Sequence, residues 1–185
     1  MPSAPSQTAD TRLPSSLAIR LVDVRARFGV LAALAATVDL LTKAVATNLL
    51  NDGRAVLLSE RFGFMLVYNT GGAGGLMIGP YTWALNVIVT LGAILMVTRI
   101  VVPLAAVDPR ATLSLALVTG GAMGNLASML AGPEGVADFI AVRIGEATTI
   151  VMNGADLLLW TGALMLVPVV IRLVRAVRSE RSARI

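Results

Sequence analysis

Two aspartates stand in short polar motifs of an otherwise apolar chain, Asp138 in VADF and Asp156 in MNGAD. Asp156 opens a long apolar run, where an ionisable side chain is costly and points to a functional site. Two carboxylates held within a few ångströms cannot both ionise easily, so one keeps a proton near neutral pH. Such a pair supplies a base to activate water and an acid to assist a tetrahedral intermediate. The bland alternative makes Asp138 a loop residue and Asp156 a helix cap, since spacing along the chain does not establish contact. Histidine and cysteine are both absent. That excludes Ser-His-Asp and Cys-His nucleophiles, disulfides and the common histidine metal sites. Acid–base chemistry falls to carboxylates, lysine or tyrosine.

Other polar groups accompany the pair. Asp39 and Lys43 lie four apart, on one face of a helix, and can neutralise each other; the lysine can instead snorkel to the surface. Asn69, Asn125 and Asn153 are amides that can hold a substrate backbone or orient a carboxylate, or simply satisfy helix ends. The run YNTGGAGG lacks the Lys-Ser or Lys-Thr of a phosphate loop. Gly120 and Gly124 form a small-xxx-small pair suited to close helix packing.

The elements that must carry these groups are membrane spans. Of 185 residues, 56% are hydrophobic and 14% charged, against roughly 25% charged in soluble domains. Four apolar stretches are each long enough to cross a bilayer, at about residues 28–50, 81–102, 111–131 and 149–174. The net charge of +4 reflects arginines gathered at two ends rather than a nucleic-acid surface. Arg20, Arg25 and Arg27 precede span one; Arg172, Arg175, Arg178, Arg181 and Arg184 end or follow span four; Arg99 and Arg110 flank the second link. The other links carry balanced charge, which places both termini in the cytoplasm. The C-terminal arginines suit a stop-transfer signal and anionic lipid. Residues 44–46, AVA, resemble a signal-peptide cleavage site, but Asp39 and Lys43 interrupt the apolar core such a peptide needs.

At 1.5 Å per residue, Asp156 lies about 24 Å from Arg172, Asn125 about 22 Å from Arg110 and Asp39 about 18 Å from Arg27. In a core roughly 30 Å thick, all three lean toward one boundary, with Asp138 in the loop just above. Residues 56–78 differ in kind: FMLVYN is β-prone, and Gly71, Gly72, Gly74 and Gly75 argue against a helix. This segment is expected to be a small β-like platform beside the site.

These motifs, ordered from about Val38 to Leu158, resemble the signal peptidase II (lipoprotein signal peptidase) family. VDLLTK matches its Asp and Lys four apart. YNTGGAGGL is similar to Asn-x-Gly-Ala-Ala-Phe-Gly, GGAMGN to Gly-Gly-x-x-Gly-Asn, VADF to Val-x-Asp-Phe and MNGAD to Phe-Asn-x-Ala-Asp. The resemblance implies an all-α membrane protein of four transmembrane helices with a small extracytoplasmic β-cradle. It implies an aspartic endopeptidase that cleaves prolipoprotein signal peptides before a diacylglyceryl-modified cysteine, without cofactor or metal. Asp138 and Asp156 take the catalytic positions. Asn69, Gly71, Asn125 and Asn153 take positions that hold substrate or carboxylates, and Asp39 and Lys43 support the bundle.

Departures accompany the match. Ser128 and Met129 stand where the family has an Asp-Arg pair, Gly74 where it has a phenylalanine, and Met152 replaces another. The alternative is therefore a weakened paralogue that binds lipidated peptides without efficient cleavage. A proton-coupled carrier using Asp39 and Asp156 fits less well, because it wants carboxylates near the midplane. The expected organisation is a polar cytoplasmic segment over 1–27, disordered at its start, a four-span domain over 28–174 and a basic cytoplasmic tail over 175–185. The expected partners are prolipoprotein signal peptides and membrane lipids, not nucleic acid, with the protein a monomer in a bacterial cytoplasmic membrane.

Overall fold

The computed structural model describes residues 15–72, 77–132, 134–146 and 148–182; Gly74 and Gly75 of the glycine run lie outside them. Helix α1 (Ser15–Leu50) leads into strands β1 (Val56–Leu57) and β2 (Phe62–Asn69), and a 3-10 turn (Gly79–Tyr81) opens α2 (Thr82–Val107). Then follow α3 (Arg110–Ala131), β3 (Val136–Ile144), β4 (Thr148–Met152) and α4 (Gly154–Ser182). All four helices contain windows long and apolar enough to cross a membrane.

Helix α3 is central and packs against the other three. Small residues make this possible. A Cβ on Gly120 would strike Ala35 and the Ala32 carbonyl of α1, and one on Gly121 would lie 2.6 Å from the Ala155 carbonyl of α4. Gly120 and Gly124 both back onto α1, as their spacing suggested. Lipid-facing positions such as Leu34, Leu41, Ile88, Leu95 and Leu164 are exposed and apolar, as a helix in hydrocarbon requires. At the end of the bundle away from the sheet, buried Asp108 accepts the Arg110 N–H at 3.0 Å and caps α3. Its other oxygen lies 2.8 Å from Arg172 of α4, an ion pair without hydrogen-bond alignment.

The strands form one antiparallel sheet in the order β1-β2-β3-β4. β2 and β3 pair although the α2–α3 hairpin separates them in sequence, with Val67 opposite Asp138 and Asn69 opposite Val136. Phe139 on the other face of β3 packs against Ala46 and Leu50, which seats the sheet on the end of α1.

Several elements differ from the sequence reading. α1 begins at Ser15, well before residue 28, because hydropathy marks where apolar surface starts and not where helical backbone does. The exposed Asp23–Arg27 pair, 2.9 Å apart, supports that polar extension. The fourth helix starts at Gly154 rather than 149; the β-branched run Thr148–Met152 pairs with β3 instead. An apolar run cannot by itself separate a strand from the helix that follows it. Asp138, expected in a loop, lies within β3 and is 5% exposed. The platform thus draws half its strands from beyond residues 56–78.

Candidate active site

Asn153 closes β4 and caps α4. Its side-chain oxygen accepts the Asp156 N–H at 3.2 Å, while Asp156 Oδ2 accepts the Asn153 N–H at 3.0 Å. This reciprocal box satisfies two amides at the start of the helix. The cap reading of Asp156 is therefore correct as far as it goes. The same Asn153 uses its Nδ2 to donate to Asp138 Oδ1 at 2.5 Å. One residue thus holds both carboxylates, one through its backbone and one through its side chain.

Beneath it runs a line of polar side chains contributed by α1 and α3. Asn153 Nδ2 also donates to Asn125 Oδ1 at 3.2 Å, and Lys43 Nζ donates to that same oxygen at 2.7 Å. Lys43 donates to Asp39 Oδ2 at 2.6 Å, and Asp39 Oδ1 accepts the Ala155 N–H at 2.6 Å. Asp39 is completely buried and Lys43 is 5% exposed, so the lysine does not snorkel. Water would be the only reward for reaching the surface, and Asn125 and Asp39 already satisfy two of its three protons. The second amide at the head of α4 is thus satisfied by a carboxylate from α1, a contact no local pattern announces. Gly124 makes room for it, since a Cβ there would overlap the Asp39 carboxylate.

From the sheet side, Asn69 shares a face with Asp138 as a diagonal neighbour across β2 and β3. Its Oδ1 accepts the Gly71 N–H at 2.9 Å, and its side chain is near enough to Asp138 to favour the charged carboxylate. Gly135, at φ +95°, presses against the Asn69 carbonyl where a side chain would not fit. Burial pushes the Asp138 carboxyl up to about 6; the Asn153 hydrogen bond opposes this, the Asp156 charge adds to it, and Asn69 and Lys43 oppose it. Asp39, Lys43, Asn69, Gly71, Asn125, Asp138, Asn153 and Asp156 thus lie together at the sheet end of the bundle.

Sequence reasoning missed the cavity beside this cluster. About 350 Å³ lies among Asn69, Thr70, Gly71, Trp83, Asn86, Met129 and Gly135. Trp83 donates its indole N–H to the Met129 carbonyl at 3.0 Å. Met129 is buried and packs with Leu126 and Val136. Ser128 turns its hydroxyl back to the Gly124 carbonyl at 3.0 Å. Apolar surface and an internal hydrogen bond occupy the two positions where the family pattern has charges.

Four apolar helices gathered around buried carboxylates beneath a small sheet define a polytopic membrane protein of enzyme-like architecture. Two solved structures, each described as a bacterial membrane enzyme, share the fold. One aligns with a TM-score of 0.68 over 78% of this chain and 87% of its own, at 19% identity. The other aligns at 0.66 over 77% and 91%, also at 19% identity. The family model described as signal peptidase (SPase) II matches residues 31–172. The lipoprotein signal peptidase of Mycobacterium tuberculosis (strain ATCC 25618 / H37Rv) is 36% identical over 140 residues, 71% of this chain and 64% of its own. That of Mycobacterium avium (strain 104) is 35% identical over 153 residues, 76% of this chain and 78% of its own. This chain belongs to the signal peptidase II family and is a multi-pass bacterial membrane protein. It spans 64% of the length of the first mycobacterial relatives it matches.

Proposed function

We propose that this protein is an intramembrane aspartic endopeptidase that removes signal peptides from diacylglyceryl-modified prolipoproteins. The observation that carries the reading is Asn153, which holds the Asp138 and Asp156 carboxylates at one point. Asp138 is the more buried of the two, and burial raises its carboxyl to about 6, so it is assigned as the initial acid and Asp156 as the base. Asp156 takes a proton from water as the water oxygen bonds to the scissile carbonyl carbon. Asp138 gives its proton to the carbonyl oxygen, and a tetrahedral diol forms. On collapse the C–N bond breaks, the leaving nitrogen takes the proton from Asp156, and a diol hydroxyl returns one to Asp138. Asn69, Gly71 and the adjoining cavity hold the peptide; Asn125, Lys43 and Asp39 fix Asn153 from below. The site faces the extracytoplasmic side, with both termini cytoplasmic, which is where prolipoproteins are presented.

A second reading is favoured by Ser128 and Met129, which leave the site without the family's extra charges: a paralogue that binds lipidated peptides and cleaves them slowly. One experiment separates the two. Purified protein in lipid micelles is given a diacylglyceryl-modified prolipoprotein beside the Asp138→Asn and Asp156→Asn variants. The expected result is cleavage before the lipidated cysteine, lost by at least about a thousandfold in each variant. Binding without cleavage by the unaltered protein would transfer the assignment to the paralogue.

A further inference from the structure

At the end of the bundle away from the polar cluster, α1 and α2 meet through Phe28, Ala32, Val97 and Val101, members of one buried apolar cluster. Beside this contact lies a cavity of about 570 Å³ lined by Arg25, Phe28, Thr98, Arg99 and Val101. Phe28 and Val101 are buried and form an apolar floor; Arg25, Thr98 and Arg99 are exposed and form a polar rim. The charges on that rim are not balanced. Asp23 is taken by Arg27 and Asp108 by Arg172, and neither Arg25 nor Arg99 meets a carboxylate among the described residues. Two cations from two helices therefore border one cavity with no anion between them.

Depth narrows the choice of occupant. Arg99 follows Trp83, which sits beside the polar cluster, by about 24 Å of helix, and Arg25 precedes Asp39 by about 21 Å. In a hydrocarbon core roughly 30 Å thick, both guanidinium groups reach the boundary opposite the sheet. A free phosphate would gain nothing from the buried floor, whereas a lipid brings both an anion and an acyl chain. We propose that this cavity binds the headgroup of an anionic phospholipid, whose phosphate bridges Arg25 and Arg99 while its chain lies against Phe28 and Val101. The site is separate from the peptidase chemistry and stands whether or not that chemistry is correct.

The test uses full-length protein in micelles doped with equal phosphatidylglycerol and phosphatidylcholine, with retained lipid counted by native mass spectrometry. The unaltered protein is expected to keep phosphatidylglycerol preferentially. R25Q/R99Q should lose that preference by about tenfold, R25K/R99K should keep much of it, and R175Q/R178Q in the C-terminal tail should keep it fully. All four should unfold at similar temperatures, since the altered side chains are exposed. Equal preference in R25Q/R99Q and the unaltered protein, or an equal loss in the tail variant, would overturn the site. Displacement of the lipid by inorganic phosphate as effectively as by short-chain phosphatidylglycerol would overturn its assignment to a lipid.

Discussion

Asn153 does at residue scale what neither aspartate can do alone. Its amide stabilises the charged form of Asp138, while burial and the Asp156 charge work the other way and win. A carboxyl whose folded-state pKa, about 6, lies above its unfolded value binds its proton more tightly in the native state. Asp138 therefore supports folding fully below pH 4, and that support is lost as pH rises through about 6. Asp138→Asn has no charge to desolvate and still offers Asn153 an acceptor oxygen. It is expected to unfold at a higher temperature than the unaltered protein at pH 7.5, with the difference vanishing near pH 3.5. Thermal unfolding in detergent at the two pH values checks this. A variant less stable at both would show that the carboxylate is held comfortably.

At the scale of elements, the site depends on how closely α1, α3 and the head of α4 approach. Gly124 and Gly154 flank the Asp39 carboxylate, and a Cβ on Gly154 would lie 3.1 Å from Asp39 Oδ1. Gly124→Ala puts a methyl group where that carboxylate sits, between two helices whose backbones cannot easily yield. The expected cost is about 3 kcal/mol of stability, from overpacking together with a disturbed buried ion pair. Gly92→Ala in α2 meets nothing within 4 Å and should be neutral or slightly stabilising through helix propensity. Comparing the two midpoints isolates the packing effect from the general effect of replacing a helical glycine.

For the molecule as a whole, the arrangement of charge predicts an orientation that chemistry in intact cells can read. The protein has no cysteine, so a single introduced thiol reports one place. Thr149→Cys lies exposed on β4 and Ser179→Cys lies exposed near the end of α4. A membrane-impermeant maleimide should label the first in intact cells and the second only after lysis. The opposite pattern would invert the proposed topology and put the site on the wrong side for prolipoproteins.

Much of this protein was legible in its amino-acid sequence. Span number followed from apolar length, since a helix must cover the hydrocarbon. The common height of Asp39, Asn125 and Asp156 followed from the fixed rise of a helix. The candidate site residues followed from polar side chains standing where burial would be costly, strengthened by the order of five motifs. What the sequence did not reveal is all long-range pairing. Nothing near Asp138 said that β3 would pair with β2 across a helical hairpin, or that Thr148–Met152 would join it as a strand. Nothing near Asp39 said that it would accept an amide from Ala155, more than a hundred residues away, or that Lys43 would stay buried. Helical rise and hydropathy are local, so residues state them directly. Sheet register, the Asn153 bridge and the two cavities depend on which helices touch, and only the packed bundle decides that.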